Sequence, residues 1–255
     1  MIFIYTKAEI EKMRIVGRLA AQLLDEISTA IKPGISTEYI NNIAVNFATK
    51  HGVINAPYNY IISADCPPFP KHLCTSINNV VCHGIPKKNE FLKKGDIINV
   101  DVTLIKDGYH GDTSRTFLVG KVSDEAKKLV EVTEKALYCG IEQMKPGNCI
   151  SDIGLAISKF IEPHNYGIVE ELSGHGIGRK FHMEPSLFHY YNPKFKLRLK
   201  PGMIMTCEPM INQGTKQVLT SDDQWTIVTA DGKLSAQFEH TVAITDNGPE
   251  ILTKL

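Results

Sequence analysis

The sequence predicts an α+β protein made of two related halves, each with two helices followed by strand-rich segments. Apolar residues recur with a helical period at two places, and each pattern ends at a Lys-Pro-Gly triplet. A second helical pattern follows each triplet, and strand-like runs that bear acidic residues follow each helix pair. We interpret this repeated order as an internal duplication within one domain of residues 1–255, with halves of roughly 1–120 and 121–255.

The two helices of the first half have clear start and stop signals. Residues 6–9 have the sequence of a capping box, and the helix that follows ends at the triplet of residues 32–34. Ser36 or Thr37 can cap a second helix, which runs to about Lys50.

The second half repeats this order. A helical pattern extends from about Asp124 to Met144 and stops at the triplet of residues 145–147. Ser151 can cap the next helix, which runs to about Ile161.

A β-hairpin is predicted between the two helix pairs. Asp107 and Gly108 form a two-residue turn signal between two alternating runs. The resulting register places Asp101 opposite Ser114 and makes Asp112 the diagonal neighbour of Asp101 on the same face. The two carboxylates are therefore expected to converge on one cation.

Four carboxylates lie within strand-like apolar runs, where an uncompensated ionised group is costly. They are Asp101, Asp112, Glu208 and Glu239. Only Arg115 among the five arginines is close in sequence to any of them, so bound cations are the predicted counter-charges. Four negative charges balance two divalent ions, whereas a single ion would leave the pocket overcharged. The sequence therefore predicts a dinuclear metal centre.

Histidine supplies the other predicted ligand type. His175 is predicted to lie in a glycine loop after a strand at residues 168–172, and His83 and His182 are the next candidates. An oxygen-rich set with one imidazole favours Mn, Fe(II) or Co and permits Zn. Two such ions, ~3.5–4 Å apart, activate a bridging water, which indicates hydrolase chemistry. Glu208 could relay the proton.

Composition narrows the class of protein. Lys+Arg and Asp+Glu are equal at 28 each, which gives no support to a strongly nucleic-acid-seeking protein. No apolar run approaches the ~20 residues that a membrane span needs, and the N-terminus lacks a signal-peptide pattern. The six cysteines show no CxxC spacing, so we expect reduced thiols in a cytoplasmic protein.

Seven sequence blocks resemble the type I methionine aminopeptidases, the short bacterial form within metallopeptidase family M24, and the resemblance covers nearly the whole chain. These blocks are residues 69–71, 74–86, 95–102, 108–114, 174–178, 208–210 and 235–241. The resemblance implies the pita-bread fold, in which two pseudo-symmetric halves enclose a curved, mainly antiparallel sheet with helices outside. It also implies removal of the N-terminal methionine from nascent polypeptides that have a small second residue.

The resemblance implies roles for individual residues. It implies five metal ligands, with Asp112 and Glu239 shared between both metals, and a proton shuttle at Glu208. It implies that His83 and His182 bind the scissile amide and its carbonyl. The implied ligands are Asp101, Asp112, His175, Glu208 and Glu239.

A pocket for the methionine side chain is also implied. Its implied substrate-binding residues are His83, Cys74, Phe69, Cys66, Phe181, His182 and Trp225. One departure concerns Cys66, which stands where many bacterial members carry a tyrosine, so one pocket wall is expected to differ in shape.

Two alternatives remain at this point. An Xaa-Pro aminopeptidase or prolidase would use the same ligands, but such relatives usually carry an additional N-terminal domain that 255 residues leave no room for. A non-catalytic binding protein of this fold would typically have lost ligands, whereas all five positions are intact here.

The expected partners are nascent peptide substrates, and we expect a monomer with no membrane association and no specific nucleic-acid binding. Two lysine-rich stretches, at residues 87–94 and 194–200, are interpreted as solvated surface, with ribosome contact as the alternative.

Overall fold

A computed structural model describes residues 2–255, and within them four α-helices flank a curved nine-stranded sheet and two three-stranded sheets. The helices are α1 (Lys7–Ala30), α2 (Thr37–His51), α3 (Asp124–Ile141) and α4 (Ile150–Ile161). The strands are β1 (Ile54–Asn55), β2 (Cys74–Ile77), β3 (Val80–Cys82), β4 (Ile97–Lys106), β5 (Tyr109–Leu118), β6 (Gly167–Ile168), β7 (Gly174–Gly176), β8 (Met183–Leu187), β9 (Ile204–Cys207), β10 (Met210–Asn212), β11 (Val218–Thr220), β12 (Ile227–Thr229), β13 (Ser235–Gln237), β14 (Glu239–Thr245) and β15 (Gly248–Ile251).

The helix starts of the first half follow the predicted caps. The Glu9 N–H donates to the Thr6 hydroxyl at 3.3 Å, and the Thr6 N–H donates to the Glu9 carboxylate at 3.0 Å, which completes the capping box. Ser36 caps α2 by accepting the Tyr39 N–H at 3.2 Å. Both predictions are confirmed because capping depends only on local sequence.

The helices of the second half differ from prediction at two ends. α3 ends at Ile141 rather than Met144, because the Met144 N–H bonds to the Ile141 carbonyl at 2.9 Å in a tighter turn. α4 is capped at Cys149 rather than Ser151, since the Cys149 N–H donates to the Asp152 carboxylate at 2.7 Å.

The β4–β5 hairpin has the predicted register. Asp101 lies opposite Ser114, and Asp112 lies opposite Thr103. Asp107 and Gly108 have φ angles of 50° and 78°, as a type I′ turn requires at both central positions. The hairpin therefore places two carboxylates on one face of the sheet.

The acid-bearing strands of the two halves meet at the centre of the main sheet. β14 pairs with β5 on one side and with β9 on the other, and β5 pairs in turn with β4. All three pairings are antiparallel. α1 packs on β4 and β5, whereas α3 packs on β9, β10 and β13. This arrangement supports our proposal that halves of roughly 1–120 and 121–255 arose by duplication within one domain.

One predicted strand is wrong in extent. Of the strand predicted at residues 168–172, only Ile168 is in a strand, because β10 pairs with Gly167 and Ile168 alone. His175 itself lies in β7 rather than in a glycine loop. Within residues 2–255, no helix combines the length and the apolar character that crossing a bilayer would require.

Candidate metal centre

Three predicted ligands converge at the middle of the main sheet. Ligand atoms of Asp112, His175 and Glu239 all lie within 4.8 Å of one another. Asp101 and Glu208 line the same cavity. Its walls are formed by Pro57, Tyr60, Ile62, Phe69, Cys74, His83, Asp101, Thr103, Asp112, His175, Phe181, His182, Glu208, Trp225 and Glu239. All five residues of the predicted ligand set therefore face one space.

Strand register explains this convergence. The β4–β5 hairpin positions Asp101 and Asp112 on one face, with Asp101 opposite Ser114. β14 then pairs with β5 so that Glu239 lies opposite Ser114 on the other side. Glu208 immediately follows β9, the other neighbour of β14. Four carboxylates from distant parts of the chain thus gather because their strands are adjacent.

His175 is oriented as a metal ligand would be. Its Nδ1–H donates to the Gly176 carbonyl at 3.0 Å, which leaves the Nε2 lone pair free. Nε2 lies 3.7 Å from Asp112 Oδ2 and 3.7 Å from Glu208 Oε1. Gly174 is required beside it, since a Cβ there would lie 2.5 Å from the Thr206 carbonyl oxygen.

Neighbouring hydroxyl and amide groups hold two of the carboxylates. The Thr103 hydroxyl donates to Asp112 Oδ1 at 2.7 Å. The Thr206 hydroxyl donates to Glu208 Oε1 at 2.7 Å, and Gln237 Nε2 donates to Glu208 Oε2 at 3.3 Å. Sequence reasoning missed these residues, although Thr103 follows from the hairpin register and Thr206 lies two positions before Glu208.

His189 is a further residue that sequence reasoning missed. It is fully buried, and its Nε2 accepts the backbone N–H of Glu208 at 2.9 Å. Burial lowers the pKa of His189 to about 3, so the ring stays neutral and keeps an acceptor nitrogen. No local sequence signal links this histidine to Glu208.

The cluster is a strongly unfavourable place for four ionised carboxylates without a cation. Burial raises the pKa of Asp101 to about 7 and that of Glu208 to about 8. Burial and the neighbouring carboxylates raise the pKa values of Asp112 and Glu239 well above their usual range.

Protein cations do not compensate these acids. Within residues 2–255 no lysine or arginine forms an ion pair with any of the four, and Arg115 pairs instead with Asp25 at 3.1 Å. The buried Oδ1 of Asp101 has no hydrogen-bond partner among these residues. An oxygen-rich donor set with one free imidazole nitrogen therefore fits divalent metal ions.

The remaining walls of the cavity are mainly aromatic. The Phe69 and Trp225 rings meet edge to face at 5.2 Å, and Cys74 packs with them in a buried cluster. Phe181 and His182 are stacked at 4.2 Å. His83 and its predicted companions Cys74, Phe69, Phe181, His182 and Trp225 all line this cavity.

Cys66 is not among the residues that line this cavity, but it packs against the cluster of Phe69, Cys74 and Trp225, and its role in substrate binding stays a prediction. Its Sγ contacts the Gln224 carbonyl at 3.6 Å. Tyr60 lines the cavity instead. The Phe69 N–H donates to the Tyr60 carbonyl at 2.9 Å, so residues 61–68 form an excursion that brings Tyr60 next to Phe69. The length of this excursion is what sequence reasoning overlooked.

Comparison with known proteins agrees with this geometry. The family model described as metallopeptidase family M24 matches residues 11–246. Methionine aminopeptidase A of Synechocystis sp. is 52% identical over 252 residues, which cover 99% of this chain and 97% of that protein. Methionine aminopeptidase of Escherichia coli strain K12 is 47% identical over 252 residues, which cover 99% and 94%.

Solved structures give the same result. The crystal structure of methionine aminopeptidase from Rickettsia prowazekii matches with a TM-score of 0.95 and 49% identity, and covers 99% of this chain and 100% of that chain. The prolidase from Pyrococcus furiosus matches with a TM-score of 0.79 at 22% identity, covering 99% of this chain and 65% of that one, and so shares the fold alone. The chain therefore has the pita-bread fold and belongs to metallopeptidase family M24, where it groups with the methionine aminopeptidases.

Proposed function

We propose that this protein removes the N-terminal methionine from nascent polypeptides that have a small second residue. The observation that carries this proposal is the cluster of four carboxylates and one imidazole, all buried or half-buried, in the lining of a cavity with aromatic walls. The relatives named methionine aminopeptidase support it because they match over nearly the full chain.

We propose five ligands, with Asp112 and Glu239 shared between two divalent ions. Asp101, His175 and Glu208 would complete the set. Bound divalent ions would polarise a substrate carbonyl and lower the pKa of a water molecule. The oxygen-rich donors favour Mn, Fe(II) or Co and permit Zn. Activity of chelator-treated protein refilled with each metal separately will identify the metal that supports turnover.

Side chains of this protein would bind the substrate and transfer a proton from the attacking water. We propose that Glu208 takes a proton from water and delivers it to the leaving amine, because its carboxylate lines the cavity and lies 3.7 Å from His175 Nε2. We propose that His83 and His182 hydrogen-bond the scissile amide and its carbonyl. The wall of Cys74, Phe69 and Trp225 suits a flexible thioether, which packs well against aromatic and thiol surfaces.

A pair of peptide substrates tests the proposed specificity. We expect the protein to cleave Met-Ala-Ser and to leave Xaa-Pro peptides intact, because the apolar cavity would accept the methionine side chain. Chromatography measures the free amino acid released from each peptide. Free methionine from Met-Ala-Ser indicates methionine aminopeptidase activity, and a free residue Xaa from Xaa-Pro peptides indicates prolidase-like activity. Preferential cleavage of Xaa-Pro peptides would assign a prolidase-like activity instead, and no cleavage of either by metal-loaded protein would favour a binding role.

Replacing His182 with alanine should lower kcat by about 10²–10³-fold, because the imidazole would no longer stabilise charge on the scissile carbonyl. Metal affinity should stay within about twofold, since His182 is outside the proposed ligand set. Steady-state kinetics and calorimetric metal titration measure the two quantities. A large loss of metal affinity with nearly unchanged kcat in metal-saturated protein would make His182 a ligand.

We further propose that the protein acts in the cytoplasm as a monomer. The six cysteines are all unpaired, which is usual for proteins kept in a reducing compartment. Ribosome contact through the lysine-rich stretches at residues 87–94 and 194–200 remains our alternative to a purely solvated surface there, and cosedimentation with ribosomes tests it.

A further inference from the structure

Tyr60 makes a contact that none of the proposed roles explains. Its hydroxyl oxygen lies 2.7 Å from Nδ1 of His182. Its ring packs against Phe181 at 5.0 Å and against the His182 ring at 5.1 Å. A side chain outside the predicted substrate-binding set therefore contacts both residues of the loop that closes one side of the cavity.

The backbone holds Tyr60 in this place. The Tyr60 N–H donates to the Pro57 carbonyl at 3.0 Å, and the Tyr60 carbonyl accepts the Phe69 N–H at 2.9 Å. Asn59 adds a second bond to the Phe69 carbonyl at 2.8 Å. Because Phe69 is itself buried against Trp225, the position of the Tyr60 ring is tied to a rigid wall.

The direction of the hydrogen bond follows from the two groups. Burial raises the pKa of Tyr60, so the phenol keeps its proton. The 2.7 Å distance between the Tyr60 oxygen and Nδ1 of His182 requires one group to donate and the other to accept. Within residues 2–255 the Tyr60 hydroxyl has no other acceptor, and the more acidic phenol O–H is the better donor to an imidazole nitrogen.

We infer that Tyr60 is a positioning residue whose hydroxyl donates to Nδ1 of His182 and so fixes the ring as the tautomer with its proton on Nε2. Among residues 2–255 no side chain or backbone group bonds to Nε2 of His182, so this N–H is free to donate to a carbonyl oxygen in the cavity. The opposite tautomer would present a lone pair and repel that oxygen. This inference rests on the proposed peptidase function.

The test compares Tyr60→Phe with the matched control Tyr58→Phe. Tyr58 is in the same segment, but it stacks on His72 and does not line the cavity. Tyr60→Phe should lower kcat about 5- to 10-fold, the rate equivalent of one lost hydrogen bond, with KM within about twofold. Tyr58→Phe should match the wild type. An unchanged kcat in Tyr60→Phe, or a change confined to KM, would overturn the inference.

A double-mutant cycle separates positioning from direct contact with the substrate. In a His182→Ala background, Tyr60→Phe should change kcat by less than about twofold, because the group that it orients is gone. If the full loss persists in that background, Tyr60 acts independently of His182 and the inference fails.

Nitrogen-15 NMR of histidine-labelled protein gives a readout that does not need turnover. The wild type should show His182 protonated at Nε2, and Tyr60→Phe should shift the ring toward a mixture of tautomers, with His182→Ala identifying the resonances. Identical tautomers in both proteins would contradict the inference. An inactive wild type that still shows the tautomer shift would instead count against the proposed peptidase function and leave the role of Tyr60 supported.

Discussion

Glu208→Gln should reduce kcat by about 10³–10⁴-fold while the protein remains folded. Glutamine has nearly the same shape as glutamate, so the Thr206 hydroxyl can still donate to the side-chain oxygen. The amide nitrogen, however, cannot take a proton from water, and it faces the Gln237 amide donor that now lies 3.3 Å from Oε2. The variant should therefore lose most of its kcat but little of its folding stability.

The experiment measures turnover of a methionyl peptide in metal-saturated protein together with circular dichroism and thermal melting. Glu131→Gln is the matched control, because it removes one carboxylate from the exposed surface of α3. That variant should keep wild-type activity. Near-normal turnover in Glu208→Gln with metal bound would remove Glu208 from the mechanism.

Removal of divalent ions should lower the melting temperature by about 10 °C near pH 8, the shift that follows when ions present at ~1,000 times Kd are withdrawn. The cause is the cluster of Asp101, Asp112, Glu208 and Glu239, whose charges would lose their counter-ions. Calorimetric scans of chelated and Mn-loaded protein measure the difference.

The sign of the pH dependence follows from the direction of the shifts. The carboxyl pKa values are raised in the folded protein, to about 7 for Asp101 and about 8 for Glu208, against about 4 in the unfolded chain. Between these values the folded metal-free protein binds more protons than the unfolded one, so its stability falls as pH rises from about 4 to 8. Metal binding should oppose this fall.

Glu239→Gln provides the comparison, because it removes one of the two proposed shared ligands and should weaken the stabilisation by metal. Equal melting temperatures for chelated and metal-loaded wild-type protein at pH 8 would contradict this account. A chelated protein whose melting temperature increases as pH rises from about 4 to 8 would also contradict it.

The parts of the fold that the sequence predicted well depend on local chemistry. The turn at Asp107 and Gly108 fixes the hairpin register, because few residues accept two successive positive φ angles. That register alone was enough to bring Asp101 and Asp112 to one face. Glu208 and Glu239 were identifiable because a carboxylate in an apolar strand requires compensation.

The parts that sequence reasoning missed depend on contacts between distant segments. His189 meets Glu208 only after β8 and β9 come together, and nothing near either residue signals that contact. Tyr60 was overlooked because the excursion at residues 61–68 separates it in sequence from Phe69, although the two are adjacent in the fold.

Metal content per folded chain tests most directly whether paired divalent ions neutralise the cluster of four carboxylates. Protein dialysed against Mn or Co and then freed of loose ions should retain about two ions per chain by mass spectrometry of the metal. Asp112→Asn, which alters the other proposed shared ligand, should retain about one or fewer. Wild-type protein that is folded and active yet retains no metal would contradict the account.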